Sequence, residues 1–166
     1  WGQALVSFKK DPSPIFPILE QLKNDPSLHV RKSVANNLND ISKTHPELVV
    51  RIAKDWYGKR KETDWIIKHG CRTLLKNANH DILTLFGYGD VADINIEDFQ
   101  LDKTSLFIGE DISFSFVLNV KNEIKVRLEY GIDYVKANGN RNRKIFKISE
   151  ISLKNNERRV YKKRHS

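Results

Sequence analysis

The chain has 166 residues, of which 39% are hydrophobic and 30% charged, and it carries a formal net charge of +8. That is enough apolar material to pack one ordinary domain or two small ones, which excludes wholesale disorder. A single cysteine, Cys71, excludes an internal disulfide framework and a cysteine-based metal cluster, and no apolar run reaches the ~18–20 residues that a bilayer-spanning helix needs.

In chain order, Asp11-Pro12-Ser13-Pro14 reads as a helix opening, with Ser13 as N-cap and Pro14 at the first helical position. Ile15, Ile18, Leu19 and Leu22 follow as an apolar stripe. Asp25-Pro26-Ser27 punctuates, and a second helix is predicted from about Leu28 to Lys43, with Val30, Val34, Leu38 and Ile41 on one face. His45-Pro46 opens a third helix through Trp56. A basic turn, Gly58 to Lys61, leads to a fourth over about Thr63–Lys76 and a short fifth over Asp81–Phe86. Val30-Arg31-Lys32-Ser33-Val34 and Ile67-Lys68-His69-Gly70-Cys71 superpose at a spacing of 37 residues, near the ~40–47-residue period of HEAT helical pairs. Such arrays bury their ends with more repeats than this, so the helical part is expected to continue upstream of Trp1.

After Gly89 the period changes to two. Strands are predicted at Val91–Phe99, in the strand-and-turn Thr104–Glu110, at Ile112–Leu118, over Ile124–Tyr134 and at Lys144–Ile148. The predicted fold class is therefore α + β in two domains. Residues 1–88 form an all-α HEAT-like helical repeat, a fragment of an α-solenoid, and residues 89–166 an immunoglobulin-like antiparallel β-sandwich. The chain ends soon after a strand-like segment, which leaves open a sandwich short of its last strands.

Charge follows the same division. Residues 1–87 hold 14 Lys/Arg against 9 Asp/Glu, residues 88–135 hold 4 against 10, and residues 136–166 hold 11 against 2. Concentrated basic charge suits a polyanionic partner and salt-sensitive binding; a solvated tail kept for solubility is the plain alternative. On the second helix, Ser33, Asn36, Asn37 and Asp40 form a short polar stripe beside the apolar one, flanked by Lys32 and Lys43. Such a stripe suits a ligand that approaches closely, or else amides that bridge neighbouring helices. On the fourth helix, Gly70 and Thr73 stand in the matching place, with His69, Arg72 and Lys76 nearby. The phosphate-facing candidates are Arg31, Lys32, Asn37, Lys68, His69, Arg72 and Lys76, although His69 alone equally suits a packing role. The sequence carries no Gly-rich phosphate loop, no HExxH or Cys/His cluster and no Gly-x-Ser-x-Gly elbow.

The run Pro12-Ser13-Pro14 to Asp25-Pro26-Ser27, then Val30-Arg31-Lys32-Ser33-Val34-Ala35-Asn36-Asn37-Leu38-Asn39-Asp40, closely resembles the AlkC group of bacterial DNA alkylation-repair proteins. So do Trp65 to Lys76, Val135-Lys136-Ala137-Asn138-Gly139 and Lys144-Ile145-Phe146-Lys147. The resemblance implies a monofunctional glycosylase that excises cationic N-alkylated purines, chiefly 3-methyladenine, from duplex DNA without metal or cofactor. It puts Asp40 at the family's carboxylate near the lesion and Trp1 at an aromatic on the edge of the active site. The family's catalytic glutamate falls in a segment ahead of Trp1 that this sequence does not include, so activity is expected of the parent protein. The Lys136–Lys147 loop resembles the part of the sandwich that contacts DNA from the minor-groove side. Lys136, Asn138, Arg141, Arg143 and Lys144 are its DNA-binding candidates, suited to a narrow, negative groove. A monomer in the cytoplasm, working on the nucleoid, is expected. Two other readings stay open: a non-catalytic DNA-binding repeat protein, and a HEAT-type scaffold for an acidic protein.

Overall fold

Two Asp-Pro-Ser turns set the first helices. The structure is a computed structural model that describes residues 5–166, so the Trp1 assignment lies outside the described residues. Helix α1 spans Val6–Lys10, a 3-10 turn Ser13–Ile15, and α2 Phe16–Leu22. Asp11 Oδ1 accepts from the Ser13 amide at 3.0 Å, and Asp25 Oδ1 accepts from the Ser27 amide at 2.7 Å. The aspartate before each proline thus closes the turn, and Ser13 is not the cap that the pattern suggested. Helix α3 follows at Leu28–Ile41, α4 at Pro46–Trp56, α5 at Lys61–Gly70, α6 at Arg72–Lys76 and α7 at His80–Leu85. The expected core residues Val34, Leu38 and Ile41 are buried, but Ile18 of the first stripe is exposed and only Leu19 beside it is buried.

The heaviest packing in this half is α3 against α5. A Cβ on Gly70 would stand 3.0 Å from Leu38 Cβ and 3.4 Å from the Ala35 carbonyl, so glycine lets the two helices approach closely. The single helix predicted over 63–76 is broken in two at Cys71, whose φ of −91° and ψ of 11° leave the helical well. Across the break the Thr73 amide turns to a side chain in place of a helical carbonyl, while the His69 carbonyl receives Arg72 Nη1 at 3.0 Å. That side chain belongs to Asn39. Its buried Oδ1 accepts from the Thr73 amide at 3.2 Å and from the Thr73 hydroxyl at 2.9 Å. Asn39→Ala leaves both donors unpaired and is expected to destabilise the helical half by about 1–3 kcal/mol. Thermal denaturation checks it, and an unchanged midpoint would show the bridge to be incidental. Burial pushes the Cys71 thiol up to about 12, so it stays protonated and packs as an apolar side chain.

The first compact unit ends at Phe86 and the second begins at Gly87. Tyr88, which the helical pattern assigned to the first half, belongs to the second: Lys125 Nζ sits 4.6 Å from its ring centroid, and its hydroxyl bonds to Glu150. Strand β1 spans Ile94–Leu101, β2 Ile112–Val120, β3 Ile124–Val135, β4 Arg141–Leu153 and β5 Arg158–His165. They form a three-stranded sheet in the order β1-β2-β5 and a two-stranded sheet of β3 and β4, antiparallel throughout. Phe114, Phe116, Leu118 and Val120 of β2 meet Val126 and Leu128 of β3 and Leu153 of β4 in the core.

Three expectations change here. The strand predicted from Val91 starts at Ile94, after a 3-10 turn over Val91–Asp93. Residues 104–110 form no strand: they make a loop whose apolar side chains face outward. And residues 158–165, to which no strand was assigned, form β5, in which Arg158, Val160, Lys162 and Arg164 are exposed while Arg159, Tyr161, Lys163 and His165 are half-buried. Long cationic side chains keep their stems against the sheet and their heads in water, which disguises the alternation.

Candidate nucleic-acid interface

On α3 the side chains at 33, 36, 37 and 40 point to solvent because the buried stripe at 34, 38 and 41 takes the opposite arc. Two of the amides are already engaged. Asn37 Nδ2 donates to the Ser33 carbonyl at 2.9 Å, and Asn36 Oδ1 accepts from Arg72 Nη2 at 3.2 Å. The helix-bridging reading therefore holds for Asn36 and for the buried Asn39, which the stripe had not included. Asn39 lay between the two stripes, and its chemistry depends on a helix break invisible in the pattern.

Asp40 stands apart from these bridges. Its carboxylate pairs with Lys43 at 2.6 Å, and its side chain is 69% exposed. It opens on a cleft of 540 Å³ lined also by Leu5, Phe8, Ile15, Asn37 and Thr44. Its lining thus combines an aromatic ring and aliphatic groups with a carboxylate, an amide and the ammonium groups of Lys9 and Lys43. Phe8 went unnoticed in the sequence because no element was assigned before Asp11. The i, i+3 spacing of Leu5 and Phe8 was the available signal.

The cations around this surface divide. Arg72 reaches Asn36 and so lies on the same surface as the α3 stripe; Lys32 and Lys76 are exposed. His69 stacks on Trp65 with centroids 3.8 Å apart, and its Nδ1 lies 2.9 Å from the Trp65 carbonyl oxygen. Lys68 Nζ lies 5.8 Å from the Tyr57 ring centroid. Arg31 is half-buried and donates to the carbonyls of Asp25 and Pro26, both at 3.0 Å, so it braces the turn before α3 rather than reaching outward.

The second cluster stands on the β3–β4 hairpin. Lys136 donates from its amide to the Asn140 carbonyl at 2.8 Å, Gly139 to Lys136 at 2.9 Å, and Asn138 Oδ1 accepts from the Asn140 amide at 3.1 Å. Gly139 takes a φ of +78°, which favours glycine at this place. Asn138 therefore shapes the tip, and Lys136, Arg141, Arg143 and Lys144 are all exposed around it. Strand alternation separates them. Arg141 and Arg143 share one face, whereas Lys144 takes the other, with Nζ 5.0 Å from the Tyr134 ring centroid. Arg143 grips Asp133 through Nε at 2.9 Å and Nη2 at 2.8 Å. That hydrogen-bonded pair holds the Asp133 carboxyl below its usual range. Among the described residues, Lys136, Arg141 and Lys144 thus carry the charge of the hairpin that no carboxylate offsets.

Comparison with known proteins fits both halves. Residues 95–166 match the family described as the C-terminal Ig-like domain of the uncharacterised protein YhaZ. The uncharacterized protein YhaZ of Bacillus subtilis is 51% identical over 161 residues, covering 97% of this chain and 45% of that protein. Among solved structures, the Pseudomonas fluorescens alkylpurine DNA glycosylase AlkC, bound to DNA containing an abasic site analog, superposes with a TM-score of 0.92 and 37% identity. That superposition covers 99% of this chain and 46% of AlkC, so the chain spans about half the length of the relatives it matches. Over almost its whole length, in the helical half and the Ig-like half alike, the chain is similar to AlkC.

Proposed function

We propose that this chain grips alkylated duplex DNA within a glycosylase that hydrolyses the N-glycosidic bond of cationic N-alkylated purines such as 3-methyladenine. The observation that carries the reading is the Asp40 cleft, whose lining combines an exposed carboxylate with the Phe8 ring. An alkylated purine already bears the positive charge of a good leaving group. When the bond between C1′ and the purine nitrogen breaks, the electron pair leaves with the base, which departs neutral. The sugar takes on positive charge, and water adds at C1′ with loss of a proton. A carboxylate stabilises that sugar electrostatically, and a ring face favours the cationic base before it leaves. Lys43 has a backbone phosphate to turn to when DNA binds, which frees Asp40 for this task. No metal or cofactor is required by these steps.

The hairpin supplies grip without reading sequence. In the full-length protein, Arg141→Glu with Lys144→Glu is expected to weaken duplex binding about tenfold or more. It should also lower the slope of log Kd against log salt by ~2, near 0.9 per lost phosphate contact. Arg143→Ala should do less, because Asp133 already neutralises it. Unchanged affinity in the double variant would remove the hairpin from the interface. The same titration tests the wider reading: duplex with an abasic-site analogue should bind more tightly than intact duplex. A second reading, a duplex-binding repeat protein without chemistry, is favoured by the Asp40–Lys43 pair, which leaves the carboxylate neutralised by its neighbour; it expects equal affinity for both duplexes.

A further inference from the structure

At the open end of the sandwich, beside the root of the β3–β4 hairpin, the loop between β1 and β2 holds two apolar side chains in solvent. Phe107 is 83% and Ile108 fully exposed. The loop is not loose. At its base Asp102 and Ser113 exchange two bonds, the Asp102 amide to the Ser113 carbonyl at 3.0 Å and the Ser113 amide to Asp102 Oδ1 at 2.8 Å. At its tip the Phe107 amide donates to Glu110 Oε2 at 3.2 Å, the Glu110 amide donates to the Phe107 carbonyl at 3.1 Å, and Gly109 turns the chain with a φ of +92°. Lys103 pairs with Glu110 at 3.5 Å. A pre-ordered turn therefore presents a bare aromatic–aliphatic pair, backed by a 540 Å³ apolar cleft lined by Phe99, Leu101, Ile112, Phe114 and Tyr134.

Exposed apolar surface of this kind marks a place where something binds, and the charge around it selects what. Lys144 lies over Tyr134, a wall of the cleft. Lys163 shares a face of β5 with His165, another lining residue, whereas Lys162 and Arg164 take the other face and Arg164 is held by Asp111. A second copy would bring these cations against like charge, whereas a polyanion with an apolar interior matches both rim and tip. We propose that Phe107 and Ile108 form a wedge that enters a base step of the duplex held by the hairpin, partly unstacking it; the inference rests on the DNA-binding reading above. Apolar side chains inserted between bases kink a duplex, and the bend lets more protein surface touch the backbone.

The test uses the full-length protein, its Phe107→Ser/Ile108→Ser variant, and a duplex with 2-aminopurine beside an abasic-site analogue. Wild type is expected to raise 2-aminopurine fluorescence on binding. The variant should bind about tenfold more weakly and lose that rise. Equal affinity and equal fluorescence in both proteins would overturn the wedge while leaving DNA binding intact. Absence of duplex binding by wild type itself would instead overturn the DNA reading and the wedge with it. Three other results would overturn the wedge alone. In one, the variant's melting midpoint drops by many degrees, which assigns the tip to packing within the protein. In the others, the variant loses self-association in sedimentation, or binding to phosphatidylserine vesicles, while its duplex response stays that of wild type.

Discussion

Asp40→Asn in the full-length protein is expected to slow release of 3-methyladenine from alkylated duplex about a hundredfold, the scale set by removing one preorganised electrostatic partner of a transition state. The amide keeps the size and planar shape of the carboxylate, removes its charge and turns one acceptor oxygen into a donor. Because Asp40 lies on the surface and its pair with Lys43 is open to water, the fold should be almost unaffected, with a change below about 1 kcal/mol. Duplex affinity should also hold, since the substitution deletes a negative charge from the surface proposed to meet the duplex. A slow enzyme that still folds and binds places Asp40 in the chemistry. Wild-type release by the variant would make Asp40 a partner of Lys43 and nothing more, whereas no release by the wild type itself would move the function to the non-catalytic reading.

Arg127→Ala should have the largest effect on stability, about 2–4 kcal/mol, read from the thermal midpoint. Arg127 of β3 stands directly opposite Glu150 of β4. Its Nη1 meets Glu150 at 2.5 Å, and its Nε and Nη2 meet Glu129 at 2.7 and 2.6 Å. The Arg127 side chain is only 12% exposed. Deleting one member of so sheltered a cluster leaves two carboxylates without their shared guanidinium, and Lys147, 3.0 Å from Glu150, offsets them in part. Fully buried pairs cost ~3–5 kcal/mol to break in this way, and the partial exposure of Glu150 lowers the figure. The cluster also sets an acid limit. Burial pushes the Glu150 carboxyl up, but hydrogen bonds from Lys147, Tyr88 and Arg127 together hold it below an ordinary glutamate's 4.5. A carboxyl lowered in the fold contributes stability above its unfolded value and loses it as pH falls through the folded one. The wild-type midpoint should therefore drop steeply below pH 4.5, and that of Arg127→Ala more gently. Parallel acid limbs would mean that the cluster contributes no pH dependence.

Period alone revealed the two architectures, because burial imposes 3.6 on one half and 2 on the other. It failed where a local choice depended on distant partners. Nothing in Trp65–Lys76 announces the break at Cys71, since Asn39, 34 residues before Thr73, makes it tolerable. Residues 104–110 resemble a strand in composition, yet their apolar groups have no sheet to face. The β5 strand was hidden for the converse reason, its alternation being written in cations with buried stems. At the candidate site, Asp40 and the hairpin were found through resemblance to a family, which singles out residues without saying what they touch. Geometry then separated Arg31, which braces a turn, and Arg143, which is held by Asp133, from Arg141 and Lys144, which remain available.

The placement of β5 bears on how the sandwich assembles. Strands β3 and β4 are joined by a tight turn and can pair at once, but β2 must wait for a strand whose His165 lies 53 residues beyond its own Ile112. Such long-range closure is slow. Until it occurs, β2 offers the uncharged run Ile-Ser-Phe-Ser-Phe-Val-Leu-Asn-Val with an open edge, a segment prone to stack with copies of itself. Once β5 docks, it becomes the outer strand of that sheet, and five of its eight residues are Lys or Arg. Cationic side chains along an outer strand repel another strand of the same kind. The charge of β5 thus guards the newly made protein against aggregation, whatever it later does for a polyanion.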